Sequence, residues 1–114
     1  LLEFVAPASA EDRYLVLLTG GASALLAGPA PGLTLEDKIA VSRLLVGCGA
    51  TIQQVNVVRR HLSRIKGGQL ARALAPAASL TLAISDVLGD DPAAIGSGPT
   101  VPDPSSHADA LAIL

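Results

Sequence analysis

Eleven residues, Asn56-Val-Val-Arg-Arg-His-Leu-Ser-Arg-Ile-Lys66, carry four of the chain's eight lysines and arginines and no acid, and Gly67-Gly68 follows at once. The net charge is -2. The block is therefore a local excess of cation with no local counter-charge, and its natural partner is an anion. Arginine presents a planar fork of donors suited to carboxylate or phosphate, and lysine a mobile point charge. At helical periodicity Gln53, Asn56, Arg59, Arg60 and Ser63 fall on one side, and Val55, Val58, Leu62 and Ile65 on the other. A solvated helix face is the plain alternative, but such faces usually interleave acids with bases. His61 projects between the two sides and suits packing or hydrogen bonding better than catalysis.

Two other segments could act on the same anion. Thr19-Gly-Gly-Ala-Ser23 stands at a strand-to-helix turn. There Gly20 and Gly21 let successive N–H groups curl inward, and Ser23 adds a hydroxyl. The bland reading is a tight turn with Ser23 as a cap. It is neither a dinucleotide fingerprint nor a Walker loop. Asp86 follows a second apolar run, with Asp90 and Asp91 close behind. Carboxylates at a strand end are placed to hold Mg²⁺ beside a phosphate or to accept a hydroxyl proton, although Asp also caps loops. Gly96-Ser-Gly-Pro-Thr100 is a second glycine-rich segment with hydroxyls. Lys66 adjoins Gly67-Gly68, where backbone can approach a ligand closely.

The elements that must position these residues alternate between strand and helix. Tyr14–Leu18 and Leu80–Ile84 read as strands buried on both faces, as in a parallel sheet. Thr34 with Asp37 and Thr51 with Gln54 have the form of helix-capping boxes. They predict helices from Leu35 to Gly47 or Gly49 and from Thr51 to about Ser63. Gln69–Leu74 and His107–Leu114 complete the helical segments. Between them, Ser85–Ser106 reads as a long loop, a length usually tied to function, and Pro102-Asp-Pro104 looks structural. The pattern is α/β, in Rossmann-like parallel-sheet layers with flanking helices. In such sheets ligands bind at the carboxyl ends of strands. The turn after Leu18 and the loop after Ile84 would both emerge there.

Composition narrows the partners. Half the residues are apolar and 16% charged, which suits a packed core. Phe4 and Tyr14 are the only phenylalanine and tyrosine and there is no tryptophan, so surfaces for stacking bases are scarce and nucleic acid is not expected. The uncharged run from Tyr14 to Leu35 is broken by glycines and prolines, and no membrane helix is expected. Cys48, the single cysteine, is expected to be a small buried thiol in a reducing, cytoplasmic setting. Seven of the eight cations lie between Lys38 and Ser85, where there is no acid, and five acids lie from Asp86 onward, where there is no lysine or arginine. Two attracting solvated faces, or the two halves of a phosphate–metal site, both fit. With no methionine in the chain, a fragment of a larger domain is expected.

Three blocks together resemble a known family. Leu18-Thr-Gly-Gly-Ala-Ser-Ala-Leu25, the run from Asn56 to Ala71, and Ser85–Asp91 with Gly96–Asp103 are similar to signature blocks of the class II glycerate kinases. This is the MOFRL-associated family, whose members are often labelled hydroxypyruvate reductases. The resemblance implies an enzyme that uses ATP and Mg²⁺ to phosphorylate D-glycerate, giving 2-phosphoglycerate. It also implies two domains with the site between them. Residues 1–114 correspond to part of the N-terminal, MOFRL-associated domain, with the C-terminal MOFRL domain and an upstream Gly-Lys-Ala lysine outside the chain. The fragment is then expected to be inactive alone, and the family is compatible with a homodimer. Thr19 and Ala22 stand where the family often has a third glycine or a second serine.

On this resemblance Gly20, Gly21 and Ser23 cradle a phosphate or the glycerate carboxylate. Asn56, Arg59, Arg60 and Lys66 line the cleft, with Lys66, Arg59 and Asp86 as catalytic groups. Asp86 and Asp90 hold the metal, and Ser97, Gly98 and Thr100 donate near the phosphates. Two other functions compete. An NAD(P)H-dependent hydroxypyruvate reductase needs a dinucleotide fingerprint, which does not follow Tyr14–Leu18. A non-catalytic domain that binds a small acid would keep the basic stripe and have no use for the acidic loop.

Overall fold

The structure is a computed structural model, and it describes residues 1–85 and 87–114. Two strands, β1 (Arg13–Leu18) and β2 (Ala78–Ala83), pair in parallel with Leu15 opposite Leu80 and Leu17 opposite Leu82. Parallel pairing requires a crossover, and the chain between them supplies four helices. These are α2 (Ala22–Leu25), α3 (Leu35–Gly47), α4 (Ile52–His61) and α5 (Gln69–Leu74), while α1 (Leu2–Val5) precedes the sheet. After β2 comes a long loop containing one 3₁₀ turn, Ile95–Ser97, and then α6 (His107–Ile113).

Helix starts follow local chemistry. Thr34 accepts from the Asp37 amide and Asp37 accepts in return from the Thr34 amide, and Thr51 with Gln54 does the same. Ser106 with Asp109 forms a third such box at α6. Helix α5 begins at Gly68, whose φ of 78° is left-handed.

The core has two parts. Val5, Ile65, Leu70 and Leu74 pack with Tyr14 and Val16 from the inner face of β1. Leu45, Val55, Val58 and Ala110 join α3, α4 and α6. Val55 and Val58 are buried, as the apolar side of the helical stripe predicts. Burial of the strands on both faces is not observed. Leu15, Leu17, Leu80 and Leu82 stand more than half exposed on the outer face, because no element among the described residues covers it. Cys48 is also exposed, contrary to expectation. It forms the C-cap of α3.

The glycine pair after Lys66 forms a seam between two segments, and both glycines also border a cavity of about 720 Å³. The Gly67 amide donates to the Ser97 carbonyl at 3.0 Å and the Gly68 amide to the Gly98 carbonyl at 2.8 Å. The Pro99 carbonyl accepts from Leu70 and Ala71 at the start of α5. A Cβ on Gly68 would stand 3.0 Å from the Val101 carbonyl oxygen, whereas one on Gly49, with the same left-handed φ of 77°, would meet nothing within 4 Å. Alanine in this conformation costs about 1–2 kcal/mol from the backbone alone. Gly68→Ala is therefore expected to lower unfolding stability by at least ~1 kcal/mol more than Gly49→Ala. Urea denaturation of the two variants checks this, and equal losses would remove the seam as a structural constraint.

Candidate functional site

The Lys66 side chain is 1% exposed, yet no carboxylate faces it among the described residues. Its Nζ donates to the Ser23 carbonyl at 2.7 Å and, more weakly, to the Gly96 carbonyl at 3.4 Å. The Arg59 guanidinium donates to the same Ser23 oxygen at 2.6 Å. From α3, the Lys38 ammonium donates to the Ala27 carbonyl, and Lys38 is itself buried. Helix α2 is a single turn, so carbonyls of this segment are left without helical partners and become the acceptors that hold three cations.

The electrostatic cost is visible in the acidity of these groups. Burial first, then the neighbouring Arg59 and Lys38 charges, push the Lys66 ammonium down to about 8. Burial and Arg59 lower Lys38 in the same direction, and burial lowers Arg59. Carbonyl dipoles satisfy the donors but do not neutralise the charge, so the cluster keeps an excess of positive charge.

Two cavities meet at Ser23 and Arg59. One, of about 420 Å³, is lined by Thr19, Gly21, Gln53, Asn56, Asp91 and Gly96. The other, of about 560 Å³, lies between α2, α3 and α4 and contains Lys38 and Lys66 against Leu35, Ile39 and Val46. The polar cavity thus joins the glycine turn, the helical stripe and the acidic loop, as the carboxyl-end argument predicts.

Not every sequence candidate arrives there. Ser97 is fully buried, with φ of 63°. Its hydroxyl donates to Asn56 Oδ1 at 3.3 Å and lies 2.9 Å from Ser23 Oγ. Its one proton goes to Asn56, so Ser23 donates to it. Ser97 therefore orients Asn56 and Ser23 and leaves the Asn56 NH₂ as the donor to the cavity that Asn56 lines. The Gly98 amide donates to the Ile95 carbonyl at 3.0 Å. Thr100 accepts from Thr81 Oγ1 at 2.9 Å and braces the loop against β2.

Arg60 is turned away from Arg59. Its Nε lies 3.1 Å from Asp103 Oδ1, off the hydrogen-bond axis. The loop acid that looked structural in the sequence thus supplies its counter-charge, and Arg60 borders a separate cavity of about 720 Å³ with His61, Gly67, Gly68 and Asp103. His61 packs as expected, with Nε2 at 3.2 Å from Ser105 Oγ and its ring 4.6 Å from that of His107. Gly20 is exposed at the tip of the turn, and Gly21, with φ of 83°, caps α2.

The acidic loop divides. Asp86 lies outside the described residues. Asp90 is exposed and borders a separate cavity of about 520 Å³ with Thr81, Ser85 and Thr100. Asp91 borders the polar cavity, with Oδ1 accepting from the Ala93 amide at 2.9 Å. Among the described residues no three acids, histidines or cysteines converge as a metal cage. A nucleotide-bound Mg²⁺ asks for less, one or two carboxylates with phosphate and water completing the shell, and Asp91 fits that demand better than Asp90.

Lys38 is the functional candidate that sequence reasoning passed over. One signal was present: it has no acid three or four residues away on its helix. Arg43 shares that signal and is exposed, so the pattern alone would not have separated them.

The chain is 56% identical over 104 residues to a protein of Agrobacterium vitis named "Putative hydroxypyruvate reductase", matching 91% of this chain and 24% of that protein. It is 50% identical over 106 residues to a glycerate kinase of Homo sapiens, matching 93% of this chain and 20% of that protein. A crystal structure of glycerate kinase (EC 2.7.1.31) from Thermotoga maritima superposes with a TM-score of 0.96 at 43% identity, over 99% of this chain and 27% of that one. The chain thus spans about a quarter of the length of the relatives it matches. No helix among the described residues is long and apolar enough to cross a membrane. The family profile for a domain of unknown function, DUF4147, matches residues 1–114 from end to end, and this chain therefore belongs to the DUF4147 family, whose sequence blocks and fold it shares with glycerate kinases.

Proposed function

We propose that this chain is part of the N-terminal domain of a two-domain cytoplasmic glycerate kinase that transfers the terminal phosphoryl group of ATP to the 2-hydroxyl of D-glycerate. The observation that carries the reading is the convergence of Lys38, Arg59 and Lys66 on one cleft with no described acid beside them. Phosphoryl transfer asks mainly for placement and for neutralisation of charge on the moving group. Arg59 and Lys66 sit where their carbonyl hydrogen bonds can be exchanged for phosphoryl or carboxylate oxygens. Asn56, Gly21 and Ser23 orient the small acid in the adjoining polar cavity. Mg²⁺ arriving with the nucleotide supplies further neutralisation, and Asp91, with Asp90 or Asp86 beyond it, is the group to hold it. A homodimer of the two-domain protein belongs to the same proposal.

The test is a paired assay on the full-length protein. Glycerate with ATP and Mg²⁺ is followed for ADP, and hydroxypyruvate with NADH for oxidation. ADP release that requires glycerate is expected. NADH loss would replace the kinase with a reductase, and silence in both would leave a domain that only binds a small acid.

Two outcomes specify Lys66. Lys66→Met keeps the buried volume and removes the charge, and should lower kcat by about two to three orders of magnitude; a near-parental rate would take Lys66 out of the mechanism. The charge is present below its pKa and lost above it. With the free-protein value near 8, kcat/KM should fall as pH rises through that region. An anion bound beside Lys66 favours the ammonium, so the corresponding limb of kcat lies at higher pH. A flat kcat/KM across this window contradicts the assignment.

A further inference from the structure

Lys38 is absent from every sequence block that identified the site. Yet it is 7% exposed, lines the same cleft as Lys66 and Arg59, and is tied to the segment that holds them. Its ammonium rests on the Ala27 carbonyl, four residues past the Ser23 carbonyl that accepts from both Lys66 and Arg59. A lysine needed only to fasten α3 to α2 has no reason to sit beside two other cations. Fastening by a neutral donor would avoid both the desolvation and the repulsion. Three charges on carbonyl dipoles alone make sense when the cleft is made for an anion that brings more than one negative charge.

We propose that Lys38 is the third cation of the anion site, a positioning residue that sets the charge and place of Lys66 from α3, so that the cleft takes an anion bearing two or more negative charges in preference to a lone carboxylate. This rests on the anion-site reading above. A transferring phosphoryl group beside a substrate carboxylate has that charge. The groups facing Lys66 are Lys38 from α3 and Arg59 from α4, with exposed Arg43 of α3 at the cleft margin. Helix α2 and the Ile95–Ser97 turn contribute no titratable side chain. Lys38 is thus the one member of the set, besides Arg59, whose charge acts directly on Lys66.

The experiment uses the full-length protein with Lys38→Gln, which keeps a donor for Ala27 but no charge, and Lys38→Arg, which keeps the charge. Two readouts are followed. In the kinase assay, Lys38→Gln should lower kcat/KM at neutral pH by roughly tenfold or more and move its alkaline limb to higher pH by about half a unit or more. Lys38→Arg should leave that limb in place. In parallel, protein labelled with ε-¹³C-lysine is titrated by NMR, with the Lys66 resonance assigned through its loss in Lys66→Arg. The Lys66 midpoint should rise in Lys38→Gln and hold in Lys38→Arg.

A Lys66 midpoint and an alkaline limb that stay fixed in Lys38→Gln would make Lys38 a structural tie and overturn the proposal. A moved NMR midpoint in a protein without glycerate-dependent ADP release would sustain the coupling and reject the kinase reading instead. Lys38→Met serves the same comparison if the glutamine variant does not fold.

Discussion

A buried ammonium without a carboxylate governs this structure. Lys66 is removed from water and given only backbone carbonyls. An isolated buried charge is costly, and hydrogen bonds to neutral acceptors offset only part of that cost. The surrounding chain is arranged to hold the arrangement in place. The amide of Lys66 is taken by Ser63 Oγ, and the next two amides by the Ser97 and Gly98 carbonyls. The Ser23 carbonyl is fixed in turn by α2 and by the hydroxyl pair Ser23–Ser97. The Gly67–Ser97, Gly68–Gly98 and Ser23–Ser97 contacts join segments far apart in sequence, so the site and the packing of the loop on the helices form one unit.

The same logic explains the division of charge along the chain. Its acidic end does neutralise part of the basic block, but selectively: Asp103 goes to Arg60 and stands 3.7 Å from His61 Nε2. Arg59 forms no ion pair with the described part of the loop, although Asp91 borders one of the cavities that Arg59 lines. Two neighbouring arginines thereby acquire different partners, one a carboxylate and the other a backbone carbonyl. An arginine fork already engaged by a carboxylate has fewer donors for a ligand, whereas one resting on a single carbonyl can exchange that partner.

Much of the fold was legible because its signals are local. The boxes at Thr34 and Thr51 need only residues three apart, and α5 is bracketed by Gly68 and Pro76. The apolar side of α4 follows from helical geometry, and Val55 and Val58 are buried accordingly. The strands were legible as strands but not in their exposure. A run such as Tyr14–Leu18 records that both faces are apolar, whereas which face is covered depends on what packs there. Cys48 failed for a related reason, since apolar neighbours in sequence do not report where a helix end points.

The sequence by itself determined most of the element types and their order, the concentration of cation in the Asn56–Lys66 block and the family to which the chain belongs. Those properties reside in short-range spacing and in blocks long enough to be distinctive. Tertiary structure alone decided that Lys38 joins Lys66 in one cleft, that Asp103 pairs with Arg60 rather than Arg59, and that Ser97 is bonded to Asn56 and Ser23. Each of those is a choice of partner between residues tens of positions apart. Such choices are set by burial and by competition for a limited number of carbonyls and carboxylates, which no local pattern encodes.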